Sequence, residues 1–207
     1  MSTHRDETRQ RETDTGLRTY YTDLDRAVLE KLGEQHREDV PKERLEAMAK
    51  LPTEFATREE FRQKHRERTG ASPENGTVGF SHGLERPAVV RTDQEPSEVV
   101  ATLVHERLHQ LSDPRARETL PKKTYEGMTE NLAQHELGRT PKQGDRVAYP
   151  EGTMQSEALR NHCGEKAIRD AYFKGDNTEL KRCLNQVVQE TEEECRKRLR
   201  NSASSQS

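Results

Sequence analysis

The sequence predicts an α+β fold that is mostly helical, with a short β-hairpin packed beside a helix and a helical C-terminal part. Apolar residues recur at helical spacing through most of the 207-residue chain. Only two short segments near the middle combine β-branched and aromatic residues in the manner of strands. Hydrophobic residues make up 29% of the chain, so we expect a small core.

The charge balance and the cysteines limit the class of protein. There are 35 Lys and Arg residues against 38 Asp and Glu residues, which argues against a dedicated nucleic-acid binder. No stretch is apolar enough to span a bilayer, and the polar start MSTHRDETRQ lacks the apolar core of a signal peptide. Cys163, Cys183 and Cys195 have no CxxC spacing and fit reduced thiols. We therefore expect a cytoplasmic protein, with delivery by a specialised secretion route left open.

Three helices are expected in the first third of the chain. Residues 1–15 are almost wholly polar and charged, and we interpret them as a disordered tail. Apolar positions at helical spacing then predict an amphipathic helix from Gly16 to about Arg37. Two shorter helices are expected over Lys42–Leu51 and Arg58–Arg68. Together the three helices form an N-terminal helical segment over residues 16–69.

A β-hairpin is expected directly after this segment. The turn-rich run from Gly70 to Gly76 closes the helical part. Behind it, Thr77–His82 and Pro87–Thr92 have the composition of short strands and are joined by the residues GLER. Gly79 in the first strand has no side chain to pack, which indicates either a bulge or a close approach to the backbone.

A second helical part follows the hairpin and completes a domain over residues 70–199. Its first helix begins at Pro96 and runs to about Leu111, with apolar residues along one side. Four further helices are expected, over Thr124–Leu137, Glu151–His162, Glu165–Phe173 and Thr178 to about Leu199. The low-complexity end RNSASSQS, residues 200–207, is expected to be a second disordered tail.

The helix that begins at Pro96 contains an HExxH pattern formed by His105, Glu106 and His109. Residues four apart lie on the same face of a helix, so the two imidazoles can hold one metal ion. Glu106 lies one step around the helix, where it can reach a water molecule bound to that ion. A charged helix also produces HExxH by chance, in which case the histidines are half-exposed and Glu106 and Arg107 are solvated.

A third ligand decides between these interpretations, because a catalytic zinc site usually has three protein ligands and one open position. The HExxHxxGxxH pattern is excluded, since Ser112 and Arg115 stand where it requires Gly and His. A GTxxD arrangement fails as well, since Ser156 stands where Asp is required.

The helix expected over Thr124–Leu137 fits better, because it carries the segment EGMTE with two acids four residues apart on one face. Glu126 can supply the third ligand, and Glu130 can accept the ring N–H of a ligating histidine and fix its tautomer. Gly127 would let this helix approach the HExxH helix closely. Two exposed glutamates without a function give the same pattern, but their position downstream of HExxH argues against coincidence.

With HExxH followed by this glutamate segment, the sequence resembles the gluzincins, zinc metallopeptidases whose third ligand is a glutamate on the next helix. It is also similar to small bacterial zincin domains, several of them toxins or effectors, that carry an EGxTE segment. The resemblance covers mainly Thr77–Leu137 and is weaker over Tyr149–Asp176. The chain departs from the pattern in a shorter gap between His109 and Glu126, and in Arg107, where a small or apolar residue is frequent.

The resemblance implies a zincin-like domain that binds one zinc ion. The ligands would be His105, His109 and Glu126. Glu106 would be the catalytic base, and Glu130 would support His105.

The resemblance also implies a substrate cleft. The edge strand around Gly79 and Phe80 would line it and pair with the substrate backbone. No motif locates the residue that stabilises the oxyanion, for which Tyr149, His162 and Tyr172 are candidates. Tyr149 is preferred because it lies in a loop after the ligand helix.

The sequence thus predicts a metallopeptidase that hydrolyses peptide bonds of a protein substrate through zinc-bound water, with Glu106 as general base. The alternative is a helical interaction module with a structural zinc site, which a fourth ligand such as His135 would favour. Weaker alternatives are a metal-free charged scaffold and a cysteine enzyme using Cys163 and His162, whose side chains diverge by about 100 degrees as helix neighbours. Expected partners are the substrate and an inhibitor or regulatory protein, with no nucleic acid and no membrane span.

Overall fold

The computed structural model describes residues 3–139, 149–186, 189, 190 and 193, with the backbone alone for residues 3–15 and 18. The fold is α+β and mostly helical, which confirms the fold class expected from the sequence. Its elements are α1 (Thr3–Gln35), α2 (Lys42–Ala49), β1 (Glu54–Ala56), α3 (Arg58–Thr69), β2 (Gly79–Phe80), β3 (Val89–Arg91), α4 (Pro96–Leu111), α5 (Pro114–Thr119), α6 (Lys122–Glu136), α7 (Pro150–Cys163) and α8 (Glu165–Phe173). Residues 178–186 are also helical. Within these described parts, no helix combines the length and apolar character needed to cross a membrane.

The three strands form one small sheet in the order β1-β3-β2. β2 and β3 pair antiparallel with Gly79 opposite Val90, so the expected hairpin is confirmed, although its strands are shorter than expected. β1 pairs in parallel with β3, with Phe55 opposite Val90. No strand was expected at β1, because this three-residue element between two helices has too little pattern to detect. β2 is therefore an edge strand.

Helices cover the two faces of the sheet. α3 packs against β1 and β3, and a small apolar cluster fills this side with Phe61, Val89 and, at its margin, Phe80. α4 packs against β2 and β3 on the main-core side, where Val90 contributes. Because side chains alternate along a strand, the Phe80 ring belongs to the α3 side while Gly79 faces α4.

The N-terminal helices share the main core with the rest of the chain. Leu32 of α1 and Met48 of α2 are buried in the same cluster as Leu103 of α4. The expected tail over residues 1–15 is wrong for residues 3–15, because α1 already begins at Thr3. These residues extend a helix whose later part is buried in the core, and extending an existing helix needs no new nucleus. The tail expected over residues 200–207 lies outside the described residues.

α6 packs closely against α7 where two glycines meet. A Cβ on Gly127 would lie 2.2 Å from the backbone carbon of Gly152, and a Cβ on Gly152 would lie 2.5 Å from the carbonyl oxygen of Lys123. Real side chains do not tolerate these distances, so both positions require glycine. The prediction that Gly127 serves the approach to the HExxH helix was wrong, since its close neighbour is α7.

One disulfide joins the end of α7 to the helical residues that follow α8. It links Cys163 to Cys183, 20 positions further along the chain. The expectation of reduced thiols at these two positions was therefore wrong. The spacing gave no signal because the disulfide depends on how α7 and residues 178–186 pack in three dimensions. Cys195 lies outside the described residues.

Candidate metal centre

α4 supplies two of the candidate ligands from a helix that is fixed in the core. Pro96 occupies its first turn, where the missing N–H is not needed. Val99, Leu103 and Leu108 are fully buried along its length. A helix anchored in this way holds the side chains on its remaining face in a fixed geometry. His105 and His109 lie on that face with ring centroids 4.7 Å apart.

The imidazole of His105 is oriented by a carboxylate on α6. Its Nδ1 lies 2.9 Å from Glu130 Oε2, inside the core. Gln134 donates a hydrogen bond from Nε2 to the other oxygen of Glu130, at 2.7 Å. A carboxylate that accepts the Nδ1–H of a histidine leaves Nε2 unprotonated and pointed at a metal. The role expected for Glu130 therefore agrees with its position.

The imidazole of His109 is oriented by a residue that the sequence analysis did not include. Its Nδ1 lies 3.0 Å from the hydroxyl of Tyr125. Ser112 donates its only hydroxyl proton to the carbonyl oxygen of His109 at 2.8 Å, so it accepts from the Tyr125 hydroxyl at 2.7 Å. The Tyr125 oxygen is then left to accept the Nδ1–H of His109. Nothing in the sequence marks Tyr125 beyond its position next to Glu126.

The two Nε2 atoms and one carboxylate oxygen converge on a single point. The Nε2 atoms of His105 and His109 are 3.1 Å apart, and Glu126 Oε2 lies 3.2 Å from His109 and 3.6 Å from His105. A tetrahedral zinc ion with Zn–N and Zn–O bonds near 2.0–2.1 Å separates its ligand atoms by about 3.3 Å. The triangle of donors therefore has the dimensions of one face of a zinc tetrahedron. The same three residues form a group of potential metal ligands within 4.8 Å of one another.

The carboxylates around the two histidines give the cluster a negative potential that favours a bound cation. Burial alone would lower the pKa of His105, but the carboxylates of Glu126 and Glu130 outweigh it and raise that pKa to about 10. Burial and the charge on His105 hold the pKa of His109 below its usual value. The pKa of Glu126 is lowered despite its burial, because both imidazoles face it. Without a metal the cluster holds a proton, and a divalent cation would satisfy the same field.

Glu106 has the environment of a general base. Its side chain is 6% exposed, and its Oε2 has no hydrogen-bond partner among the described residues. Burial raises the pKa of Glu106 to about 7, with the charge on Glu126 adding to the shift and that on His105 opposing it. A buried carboxylate with a free oxygen and a pKa near neutrality is suited to accept and release a proton.

Gly79 of the edge strand lies directly against this carboxylate. A Cβ at this position would come within 2.7 Å of Glu106 Oε1 and 2.5 Å of Thr102 Cγ2. Of the two interpretations given for Gly79, the close approach therefore describes its position. The expectation that Phe80 lines the cleft must be corrected for its side chain, since its ring lies 5.3 Å from the ring of Phe61 on the α3 side of the sheet. Only its backbone can face a substrate.

The three candidates for oxyanion stabilisation lie in different places. The Tyr149 ring is stacked on the His105 ring with centroids 6.1 Å apart, and its residue has a left-handed backbone conformation with φ of 54°. Burial and the surrounding carboxylates raise the pKa of Tyr149 to about 12. Tyr172 is fully buried and bonded to Thr129, and His162 lines a separate cavity together with Leu159 and Leu184. Only Tyr149 of the three stands next to the metal ligands.

Two cavities flank the cluster. One, of about 540 Å³, is bounded by Gly79, Thr102, Glu106 and Tyr149. The other, of about 450 Å³, is bounded by His82, His109, Arg117, Tyr125 and Glu126. β2 lies between them, with Thr77 and Val78 at the first cavity and Ser81 and His82 at the second. The candidate ligands thus border both cavities, His105 the first and His109 and Glu126 the second.

The residues on which the alternative interpretations depend are not available for the roles expected of them. His135 bonds to Glu157 at 3.1 Å and is not part of the cluster, so it does not act as a fourth ligand. The cysteine enzyme has no free thiol at Cys163, which is disulfide-bonded. The chance interpretation expected half-exposed histidines and solvated charges, but the side chains of His105 and His109 are 9% and 12% exposed, and Glu106 and Arg107 are both buried.

No family model, curated protein or solved structure matches the chain. A functional assignment therefore depends on the residues and the geometry of this molecule.

Proposed function

We propose that the chain is a zinc-dependent metalloendopeptidase of the gluzincin type, which hydrolyses peptide bonds of a protein substrate. The observation that supports it most is the triangle formed by His105 Nε2, His109 Nε2 and Glu126 Oε2, with sides of 3.1, 3.2 and 3.6 Å. A set of two imidazoles and one carboxylate leaves a fourth position of a tetrahedral ion open, which is the arrangement of catalytic rather than structural zinc.

Different residues of the site would bind the metal, transfer the proton and stabilise the oxyanion during hydrolysis. His105, His109 and Glu126 would hold the ion, which when bound supplies Lewis acidity for a carbonyl oxygen and for water. Glu106 accepts a proton from the attacking water at its free Oε2 and then donates it to the nitrogen of the leaving amine. Tyr149 has its ring beside His105, and its hydroxyl would donate to the oxyanion.

The edge of the sheet provides a binding mode for an extended substrate. β2 pairs with β3 along one side, and no other strand among the described residues covers its second side. An extended peptide can add to such an edge through main-chain hydrogen bonds. A peptide bound there would pass the cluster between the two cavities, because Gly79 lies against Glu106.

Glu106→Gln tests the proposal most directly. Wild type and variant are expressed in one host and the newly formed peptide termini are compared by mass spectrometry. Loss of the general base should lower the cleavage rate by about 10² to 10⁴-fold. The zinc content of the purified variant, measured by elemental mass spectrometry, should equal that of wild type because Glu106 is not a ligand. Glu30→Gln on the exposed side of α1 is the matched control.

The outcomes separate catalysis from metal binding. Chelation of the metal should abolish cleavage in wild type, and return of zinc should restore it. Equal cleavage by wild type and Glu106→Gln, or a purified protein without stoichiometric zinc, would show that the proposal is wrong. Zinc without cleavage of any protein would favour the structural-site alternative.

A further inference from the structure

Three polar side chains lie along one face of α6, the helix that packs against α4. Glu126, Glu130 and Gln134 follow one another at intervals of four residues, so each is a neighbour of the next on the helix surface. Glu126 is the candidate metal ligand, and Glu130 lies 2.9 Å from Nδ1 of His105. Gln134 makes its side-chain hydrogen bond to Glu130 and not to a histidine.

The carboxylate of Glu130 is buried, and its two oxygens have different partners. Glu130 and Gln134 are each 6% exposed. Oε2 of Glu130 faces His105, and Oε1 accepts a hydrogen bond from Nε2 of Gln134 at 2.7 Å. No lysine or arginine among the described residues forms an ion pair with this carboxylate. A buried carboxylate depends on such hydrogen bonds, because they replace the water that it has lost.

The hydrogen bond from Gln134 sets the direction in which the Glu130 carboxylate faces. A glutamate side chain has three rotatable bonds, and its last torsion angle has only broad minima. With Oε1 held by the amide of Gln134, Oε2 is directed at the ring of His105. Without that donor the carboxylate is free to turn, and the Nδ1–H of His105 loses a fixed acceptor.

The second histidine of the cluster offers an internal comparison. Nδ1 of His109 lies 3.0 Å from the hydroxyl of Tyr125, which is bonded to Ser112 at 2.7 Å. Neither of these contacts involves Glu130 or Gln134. A change at Gln134 should therefore reach His105 and leave His109 in its present orientation.

We propose that Gln134 is a positioning residue of the metal centre, which holds the Glu130 carboxylate and through it the imidazole of His105. The contacts run from Gln134 to Glu130 and from Glu130 to Nδ1 of His105, whose Nε2 would bind the ion. Gln134 acts through Glu130 and is not itself a ligand. The inference rests on the proposed function for the metal, but the orientation of His105 can be measured with or without it.

Gln134→Met tests the inference, because methionine has a similar length but no N–H donor. Exchange of the Nδ1 proton of each histidine with solvent is measured by NMR on full-length protein labelled with ¹⁵N-histidine, both zinc-loaded and metal-free. Loss of one hydrogen-bond partner should speed exchange at His105 by about tenfold and leave the rate at His109 unchanged. Gln63→Met is the matched control, since it removes an exposed hydrogen bond of 2.8 Å to Glu67, also four residues away on one helix.

Zinc affinity provides a second measurement. Competition with a chelating dye should show a zinc dissociation constant about 3- to 10-fold higher in Gln134→Met, a smaller change than loss of a direct partner of a ligand produces. The control Gln63→Met should bind zinc as wild type does. Gln134→Glu keeps the shape of the side chain but replaces the donor by an acceptor, so it should give the same changes and replaces Gln134→Met if that variant does not fold.

The two measurements separate failure of this inference from failure of the proposed function. If wild type binds no zinc, the proposed function is wrong, and the exchange rate at His105 in the metal-free protein still decides the role of Gln134. A purely structural role would speed exchange at both histidines alike. That result, an unchanged rate at His105, or equal zinc dissociation constants for wild type and the variant would overturn the inference.

Discussion

Two neighbouring residues of α4, Glu106 and Arg107, are both charged and both buried, yet their surroundings differ completely. The guanidinium of Arg107 donates to both oxygens of Asp25 at 2.9 and 2.5 Å, to the carbonyl oxygen of Leu51 at 2.7 Å and to Gln110 at 2.7 Å. Glu106 keeps Oε2 without any partner among the described residues. The charge of Arg107 is fully paired within the fold, whereas Glu106 keeps one oxygen that can accept a hydrogen bond from a ligand.

The difference distinguishes a charged side chain that stabilises the fold from one that is available for binding or catalysis. A buried group whose donors are all used can only hold the fold together, because any change would leave a partner unpaired. A buried group that keeps a free acceptor costs stability and persists where something else binds to it. Four substitutions, at residues with satisfied partners and at residues beside the candidate metal ligands, should therefore have different effects.

Arg107→Ala should produce the largest of these four effects, and that effect should be on stability. Removing one partner of a buried ion pair leaves Asp25 buried and uncompensated, which costs about 3–5 kcal/mol of unfolding free energy. Urea denaturation monitored by circular dichroism measures the loss. The protein that remains folded should still bind zinc with the wild-type stoichiometry.

A double variant serves as the control for Arg107. Arg107→Met combined with Asp25→Leu should be more stable than Arg107→Ala, since no charge is then left buried. Recovery should be partial, because the backbone N–H and the hydroxyl of Thr53 also donate to Asp25, at 2.9 Å each. An unchanged urea midpoint in Arg107→Ala would show that the saturated pair is not structural.

Gly79→Ala should lower catalysis and leave zinc in place. The added methyl group would displace Glu106 and Thr102, and a shift of about 1 Å at a reacting group costs on the order of 10²-fold in rate. Cleavage rate per bound zinc is the quantity to measure. Gly33→Ala is the matched control, since nothing lies within 4 Å of its Cβ position. Wild-type turnover in Gly79→Ala would show that Glu106 does not need its present position.

Tyr125→Phe should weaken zinc binding without unfolding the protein. The change removes the nearer acceptor for Nδ1–H of His109, leaving only Thr129 Oγ1 at 3.4 Å, and loss of such a partner typically costs about 10–100-fold in metal affinity. Competition with a chelating dye measures the zinc dissociation constant. Tyr20→Phe, at an exposed tyrosine of α1, should not change it. If the two variants bind zinc equally well, Tyr125 does not orient the ligand.

Asp113 should give the smallest effect, visible in the pH dependence of stability. Burial would raise its pKa, but hydrogen bonds from Arg115 and Arg44 outweigh burial and lower the pKa to about 2. Because this folded-state pKa lies below the ordinary value of about 4, the stabilisation is fully present above pH 4 and is lost as the pH falls towards 2. Asp113→Asn should therefore be less stable than wild type at pH 7 and equally stable near pH 2. A stability difference that does not change with pH would contradict this assignment.

The fold was predictable where a local pattern sets the structure. The bounds expected for the helix from Pro96 and for Glu165–Phe173 agree with the structure because apolar spacing and terminal residues define both helices. β1 was not expected, since three residues acquire their strand geometry only by pairing with β3. α5, for which no helix was expected, is six residues long and begins where Asp113 accepts a hydrogen bond from the backbone of Arg115.

The candidate site was also predictable where it depends on spacing along one helix, but not where it depends on how helices pack together. His105 and His109 share a face because they are four residues apart on one helix, and Glu126 was expected from the acidic pair on the helix that proved to be α6. Tyr125 and the burial of Arg107 were not expected, because both depend on which helices meet in three dimensions. A sequence shows that a side chain is charged but not whether its partners will be present.

The pairing of β1 with β3 has a consequence for how the chain can be divided. A polypeptide that begins at residue 70 would keep all three candidate metal ligands, yet it would expose one edge of β3 and leave the guanidinium of Arg107 buried without Asp25. A separate fragment of residues 1–69 carries both missing partners, β1 and Asp25. Cutting the gene between the two pieces would thus make the completed sheet and the Asp25–Arg107 ion pair depend on the association of the two fragments.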